Sequence, residues 1–344
     1  MRFGKIATVL GISGLLGVSL MCSAFSFPFF KKSPTTAPVV SQNYENVKNS
    51  VWCITFQLVW NDFMDKVANG KPIQLEGGNP ALVDELNKKL YTANDISTSS
   101  YYKVQGEVSP ALKKQIEKAI YKQFKEKSDI IGMVNWNAKN AYIFYAMLKK
   151  EFNFLTPFEI LTSAPFNGSE NVKYFGIKKN SDNKLRENVK VLFYNDNEYA
   201  IKLSTKESED VILYKTAKND DFITLYDFVM NNAKAENLGY SDTLKVPNID
   251  INKMISYDEL CNKKVLGTDK VITQAIQTIK FKLDNKGGSL KSEAIIGLMR
   301  TSLAPDNSRH FNFDEPFVLF LKEQGKDKPY FATRIENTEF LVKE

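Results

Sequence analysis

Phe311-Asn312-Phe313-Asp314-Glu315-Pro316-Phe317-Val318-Leu319-Phe320-Leu321-Lys322 is the stretch on which the reading of the fold turns. A polar turn containing Asn312 leads into Pro316-Phe317, and the apolar run that follows ends on a charge. This reads as a strand entered from a turn. Working upstream, Ile279, Phe281 and Leu283 alternate with Lys280, Lys282 and Asp284. That two-residue period predicts a strand with one buried face and one wet face.

Further out, the periodicity changes along the chain. Residues 47–67 carry Val51, Ile54, Phe56, Leu58, Val59, Phe63 and Val67 and predict one long amphipathic helix. Asn79-Pro80 predicts a helix over 81–90, with Asn as cap and Pro in the first turn. Ser109-Pro110 repeats that signal before 111–127, where Leu112, Ile116, Ile120 and Phe124 recur every four residues. The first third is therefore expected to be largely helical. From about residue 130, the runs 140–148, 189–194, 199–203 and 211–213 read as strands and hairpins between Asn, Asp, Ser and Gly. Residues 220–234 return to helix, and strands resume at 244–251 and 277–283. Helices first and mixed antiparallel strands afterwards make an α+β class.

Arg2 and Lys5 precede an apolar run over 6–21, and Cys22-Ser23-Ala24 closes it with small residues. This predicts an export signal over 1–24 and a linker over 25–46, with a secreted, periplasmic or extracellular mature chain. A retained N-terminal anchor and lipidation at Cys22 stand as alternatives. The remaining 47–344, in a sequence 43% hydrophobic, suffice for one domain with a substantial core. The net charge of +6 is carried by Lys interleaved with Asp and Glu, which argues against nucleic acid as a partner. Cys53 and Cys261 remain after the signal, either as one disulfide or as two free thiols. His310 is the sole histidine. It has no metal-ligand spacing around it, so no metal is expected, and a His-dependent nucleophilic triad would have to use it. There is no Gly-rich phosphate loop and no Gly-x-Ser-x-Gly elbow. Catalytic residues, and hence an enzyme, are not expected.

The C-terminal stretch resembles the signature of the serpin family, carried by Phe311, Asn312, Pro316 and Phe317. Lys328-Pro329-Tyr330-Phe331-Ala332-Thr333-Arg334-Ile335 looks like the family's last strand, with Thr333 in place of the usual Gly. Asn153-Phe154-Leu155-Thr156-Pro157-Phe158, followed by Ala164-Pro165-Phe166, is similar to a second serpin segment, with Phe154 where Trp is common. Residues 279–288 resemble the strand that enters the hinge of the reactive loop. The resemblance covers about residues 135–344. It implies helices packed on mainly antiparallel sheets, with an exposed reactive loop at about 287–305. It also implies suicide inhibition of a serine or cysteine protease, by a cleaved loop that inserts into the main sheet. The hinge is then Gly287, Gly288, Ser289, Leu290, Ser292 and Ala294. Counting from Gly287 puts the scissile bond at Thr301-Ser302, and a loop one residue shorter makes Arg300 the bait for a trypsin-like serine protease. No cofactor is implied, and a monomer is expected. If Gly288 points inward, Leu290, Ser292, Ala294 and Ile296 follow, and no charge is buried; a slip of one residue would bury Lys291 and Glu293. A non-inhibitory binding or storage protein on the same fold is the alternative.

Overall fold

The computed structural model describes residues 49–288 and 308–344, so the stretches expected to be an export signal and a linker lie outside it. The chain runs through β1 (Ser50–Cys53), α1 (Thr55–Ala68), α2 (Ala81–Asn87), β2 (Tyr101–Glu107), α3 (Pro110–Phe124), β3 (Tyr142–Leu148) and β4 (Phe152–Asn153). It continues through β5 (Glu159–Pro165), β6 (Asn171–Ile177), α4 (Asn183–Arg186), β7 (Val189–Tyr194), β8 (Tyr199–Ser204), β9 (Glu209–Lys215) and α5 (Phe222–Asn232). Then come β10 (Glu236–Asn237), β11 (Thr243–Pro247), β12 (Ile249–Ser256), β13 (Lys263–Lys264), β14 (Val271–Ile272) and β15 (Ile276–Leu283). The last strands are β16 (Gly287–Gly288), β17 (His310–Asn312), β18 (Phe317–Glu323) and β19 (Phe331–Ile335).

A seven-stranded sheet in the order β1-β19-β18-β9-β8-β7-β10 holds the centre, and a four-stranded sheet in the order β17-β11-β6-β5 packs beside it. The apolar run of the opening stretch becomes β18, between β9 and β19, with Leu319 opposite Leu213 and Thr333. Phe317 to Phe320 are fully buried because both faces and both edges of the strand are covered. Two separate ribbons, β2·β3 and β12·β15, lie outside these sheets. All these pairings are antiparallel except β11·β17.

Several expectations hold. Ser109 caps α3 by accepting from the Leu112 N–H at 3.2 Å. The stripe Leu112, Ile116, Ile120 and Phe124 is buried with Trp136 and Tyr145, as a cluster distinct from the main core. Asp221 caps α5 through the N–H groups of Ile223 and Thr224. In β15, Gln277, Ile279, Phe281 and Leu283 are buried while Lys280 and Lys282 are exposed.

The N-terminal third corrects others. Residues 47–67 are not one helix: the chain enters as β1, and α1 starts at Thr55. Val51, Trp52 and Ile54 are buried against β19, where Ile54 N–H donates to the Tyr330 carbonyl at 3.0 Å. A strand buried along nearly its whole length, running straight into an amphipathic helix, leaves no break in apolar spacing. Asn79 does not cap α2. Its oxygen accepts from Leu75 N–H, and its amide donates to the Ile73 carbonyl and to Asp84, which pins the preceding loop instead. The helix ends at Asn87, short of 90. β2 lies inside the region read as helical, and 244–251 divides into β11 and β12 around Asn248.

Candidate functional site

The ribbons β2·β3 and β12·β15 face each other without pairing among the described residues. A cleft of about 2090 Å³ lies between β3 and β15, with Phe63, Phe144, Leu148, Ile279 and Phe281 among its apolar lining. On the outer side, Asp129, in the segment after α3, reaches Lys280 of β15 at 2.7 Å and so crosses the cleft. On the β3 side, Lys149 pairs with Glu126 and Glu151, each at 3.0 Å.

At one end of the cleft the chain turns back on itself. After Leu283 the Asp284 N–H donates to the Gly287 carbonyl at 2.9 Å, and Asp284 Oδ1 accepts from Lys286 N–H at 2.8 Å. Asn285 and Lys286 therefore form a two-residue turn. Gly287 and Gly288 then run antiparallel to β4, opposite Asn153 and Phe152. Gly287 has φ 147°, and a Cβ there would stand 2.2 Å from the Phe152 carbonyl oxygen. A Cβ on Gly288 would stand 2.6 Å from the Phe152 ring. At Gly287 only glycine fits so close an approach of two backbones. The turn is tied down further, since Phe154 N–H donates to the Lys286 carbonyl at 2.8 Å and Phe158 N–H to that of Asn285 at 2.7 Å.

The far side of the loop is anchored separately. Arg309 begins the chain that leads into β17, and its Nε and Nη2 donate to Asp242 at 3.0 and 2.8 Å. The Arg309 N–H and the Gly239 N–H also donate to this carboxylate. Burial by itself would raise the Asp242 carboxyl, but these donors outweigh it and hold the group below the usual carboxylate range. Beyond it, Phe311, Phe313 and Phe317 are fully buried, and the Tyr199 hydroxyl donates to the Asn312 carbonyl at 2.7 Å. Phe311 and Phe313 meet the Tyr199 ring edge-on at 5.3 and 5.4 Å. Pro316 stands directly before β18.

No family model matches the sequence, and no curated protein matches it. Among solved structures, the chain is similar to Serpin48, described as a highly specific serpin in the insect Tenebrio molitor. The two share 11% identity over 84% of this chain and 91% of that one, at a TM-score of 0.50. It is equally similar to thyroxine-binding globulin in complex with thyroxine, at 11% identity over 84% and 92% with a TM-score of 0.50. The fold is the serpin fold. Its coverage extends beyond residues 135–344, so the serpin likeness takes in part of the N-terminal third as well.

Within the serpin fold, three separately recognised sequence segments converge. Gly287-Gly288 pairs with Phe152-Asn153, at the start of the second Pro-Phe segment. The end of that segment meets the signature, since Phe166 packs on Phe317 with rings 6.3 Å apart and Asn167 N–H donates to the Asp314 carbonyl. Ser289, Leu290, Ser292, Ala294, Arg300, Thr301 and Ser302 lie outside the described residues. His310 is exposed on β17, with its Nδ1 2.8 Å from Thr243 Oγ1. Sequence reasoning missed Asp129, Asp242 and a buried cluster of Lys150, Glu209 and Glu323. Each pairs with groups far away in sequence, so no local pattern marks it.

Proposed function

We propose that the protein is a serpin-type protease inhibitor whose reactive loop, once cleaved, adds a strand between β3 and β15. The observation that supports this reading most is the turn at Asn285-Lys286, which sets Gly287-Gly288 beside β4 in line with two facing strand edges that are unpaired among the described residues. The pairing of Asp284 with Gly287 and of Gly288 with Phe152, continued residue by residue, puts Leu290 opposite Phe281 and Lys150. Ser292 then falls opposite Ile279 and Leu148, and Ala294 opposite Gln277 and Ala146. Phe281, Ile279, Gln277 and Leu283 face the core, so Leu290, Ser292 and Ala294 would do so too. Lys291 and Glu293 would face outward. Lys291 would stand between Lys149 and Lys280, whose carboxylate partners Glu126, Glu151 and Asp129 supply compensating charge. The added strand would satisfy both open edges, a drive of the kind that strand addition uses elsewhere.

The bait is Thr301-Ser302, or Arg300 for a trypsin-like serine protease. Export would remove residues 1–24, so that the target is met in the periplasm or extracellular space by a monomeric inhibitor. The test mixes the purified mature protein with trypsin, elastase and a subtilisin-type protease, followed by denaturing gels and sequencing of the released C-terminal peptide. A covalent band at the summed mass, with release after Arg300 or Thr301, is expected. Clean cleavage without adduct and without a rise in melting temperature would make the chain a non-inhibitory binding or storage protein on this fold.

A further inference from the structure

The outer face of α3 carries charge that the loop-insertion reading does not use. Lys and Glu are interleaved along 113–127 in sequence, but the helix sorts them. At about 100° per residue, Lys114, Lys118 and Lys122 fall within a sector of about 80° centred opposite the buried stripe Leu112, Ile116, Ile120 and Phe124. Lys125, at the C-cap, extends the row, and all four lysines are exposed. From Lys114 to Lys125 the row is about 16 Å long. Tyr121 lies along it, 60% exposed, with the Lys125 ammonium 5.7 Å from its ring centre.

The nearby carboxylates are engaged with other lysines. Glu117 pairs with Lys113 at 3.9 Å, Glu126 with Lys149 at 3.0 Å and Asp129 with Lys280 at 2.7 Å. None of the four lysines in the row pairs with a carboxylate among the described residues. Lys114 with Lys118, and Lys118 with Lys122, are like charges at i,i+4, which oppose helix formation. An array of anions laid along the row would relieve that repulsion. The helix is also an outer layer of the molecule. Its apolar side covers β2·β3, and Gln123 ties it there by donating to the carbonyls of Ser99 and Tyr101, while the lysine side faces solvent.

We propose that this face of α3 is a docking surface for a bilayer that carries anionic lipid of the phosphatidylglycerol kind. Arg, whose planar fork grips a single phosphate or sulfate through two bonds, is absent from 110–127. Four ammonium groups on flexible stems suit instead a fluid plane of headgroups that rearranges around them. Tyr121 adds a ring with a polar tip, the kind of side chain that settles at headgroup level. The exposed face has no apolar stripe, so the helix rests on the surface and does not bury itself in the acyl chains. Its attraction is therefore electrostatic and is screened by salt. Export, expected from residues 1–24, would bring the chain to the outer side of such a membrane. The docking does not depend on the reactive loop.

Co-sedimentation of the mature protein with lipid vesicles is the test. Vesicles of phosphatidylcholine with phosphatidylglycerol should retain the protein at low salt, and vesicles of phosphatidylcholine alone should not. With Lys114→Gln, Lys118→Gln, Lys122→Gln and Lys125→Gln combined, affinity should fall on the order of a hundredfold or more. Gln keeps the helix propensity and removes the repulsion, so the melting temperature of this variant should not drop. A control that loses the same charge at other exposed positions, Lys178→Gln, Lys184→Gln, Lys206→Gln and Lys234→Gln combined, should bind nearly as the wild type does. The proposal is overturned if the wild type ignores the anionic vesicles, or if the α3 variant still binds them as tightly. Equal weakening in both variants also overturns it, because net charge and not the α3 face would then hold the lipid. Retention on a sulfated polysaccharide without retention on the vesicles would refute the bilayer and make the row a site for a soluble polyanion.

Discussion

Gly287 shows how one residue permits a close approach of two strands. Its backbone sits where an L side chain is strained, and the Phe152 carbonyl occupies the space a Cβ would need. Gly287→Ala is expected to cost about 2 kcal/mol or more, from strain at positive φ and overpacking together. Denaturant unfolding of the variant checks this, and an unchanged midpoint would mean the β16·β4 pairing does not form. Thr333 illustrates a different accommodation. It stands where serpins usually have Gly, is fully buried, and donates its hydroxyl to the Ser50 carbonyl at 2.9 Å. The added polar group is satisfied locally, so the last strand keeps its place. The roles of Phe311, Phe313 and Phe317 were legible as part of a motif. Tyr199, the ring partner of Phe311 and Phe313, was not, because more than a hundred residues of chain separate it from them.

Among elements, β15, α3, α5 and β18 were readable because each has one consistent periodicity or cap. In α3 the Ser109 cap and the four-residue stripe agree, and the helix then covers β2·β3 with a cluster separate from the main core. Ser109→Ala is accordingly expected to lower stability by about 1 kcal/mol. The loss should show as increased hydrogen exchange over α3 and β3, while β18 stays protected. Equal loss across both would mean that the two clusters unfold as one. By contrast, β1 and β2 were misread. β1 is buried along nearly its whole length, and β2 is half-buried with no clear alternation, so neither carries a two-residue signal. The separation of β3 from β15 was likewise invisible, since an unpaired edge has no sequence signature of its own.

At the scale of the whole molecule, Cys53 and Cys261 are free thiols, and burial pushes the Cys53 thiol up despite the Thr55 contacts that lower it. A protonated, enclosed thiol reacts slowly. Reducing agent should therefore leave the melting temperature unchanged, and Cys53 should alkylate fully only after unfolding. A drop in melting temperature on reduction would show that a disulfide forms after all.

The sequence by itself determined the α+β class, the strand character of 277–283 and 317–321, the capped helix after Ser109 and the serpin resemblance of the C-terminal half. Each of these rests on interactions within a few residues, where periodicity and turn chemistry are written directly in the chain. Only the tertiary structure decided that Gly287 and Gly288 turn back beside β4, that β3 and β15 leave a cleft between them, and that Lys150 is shared by two opposed carboxylates. Those arrangements depend on which distant backbones approach one another and which charges lose their water. Both are properties of packing, and local sequence does not encode them.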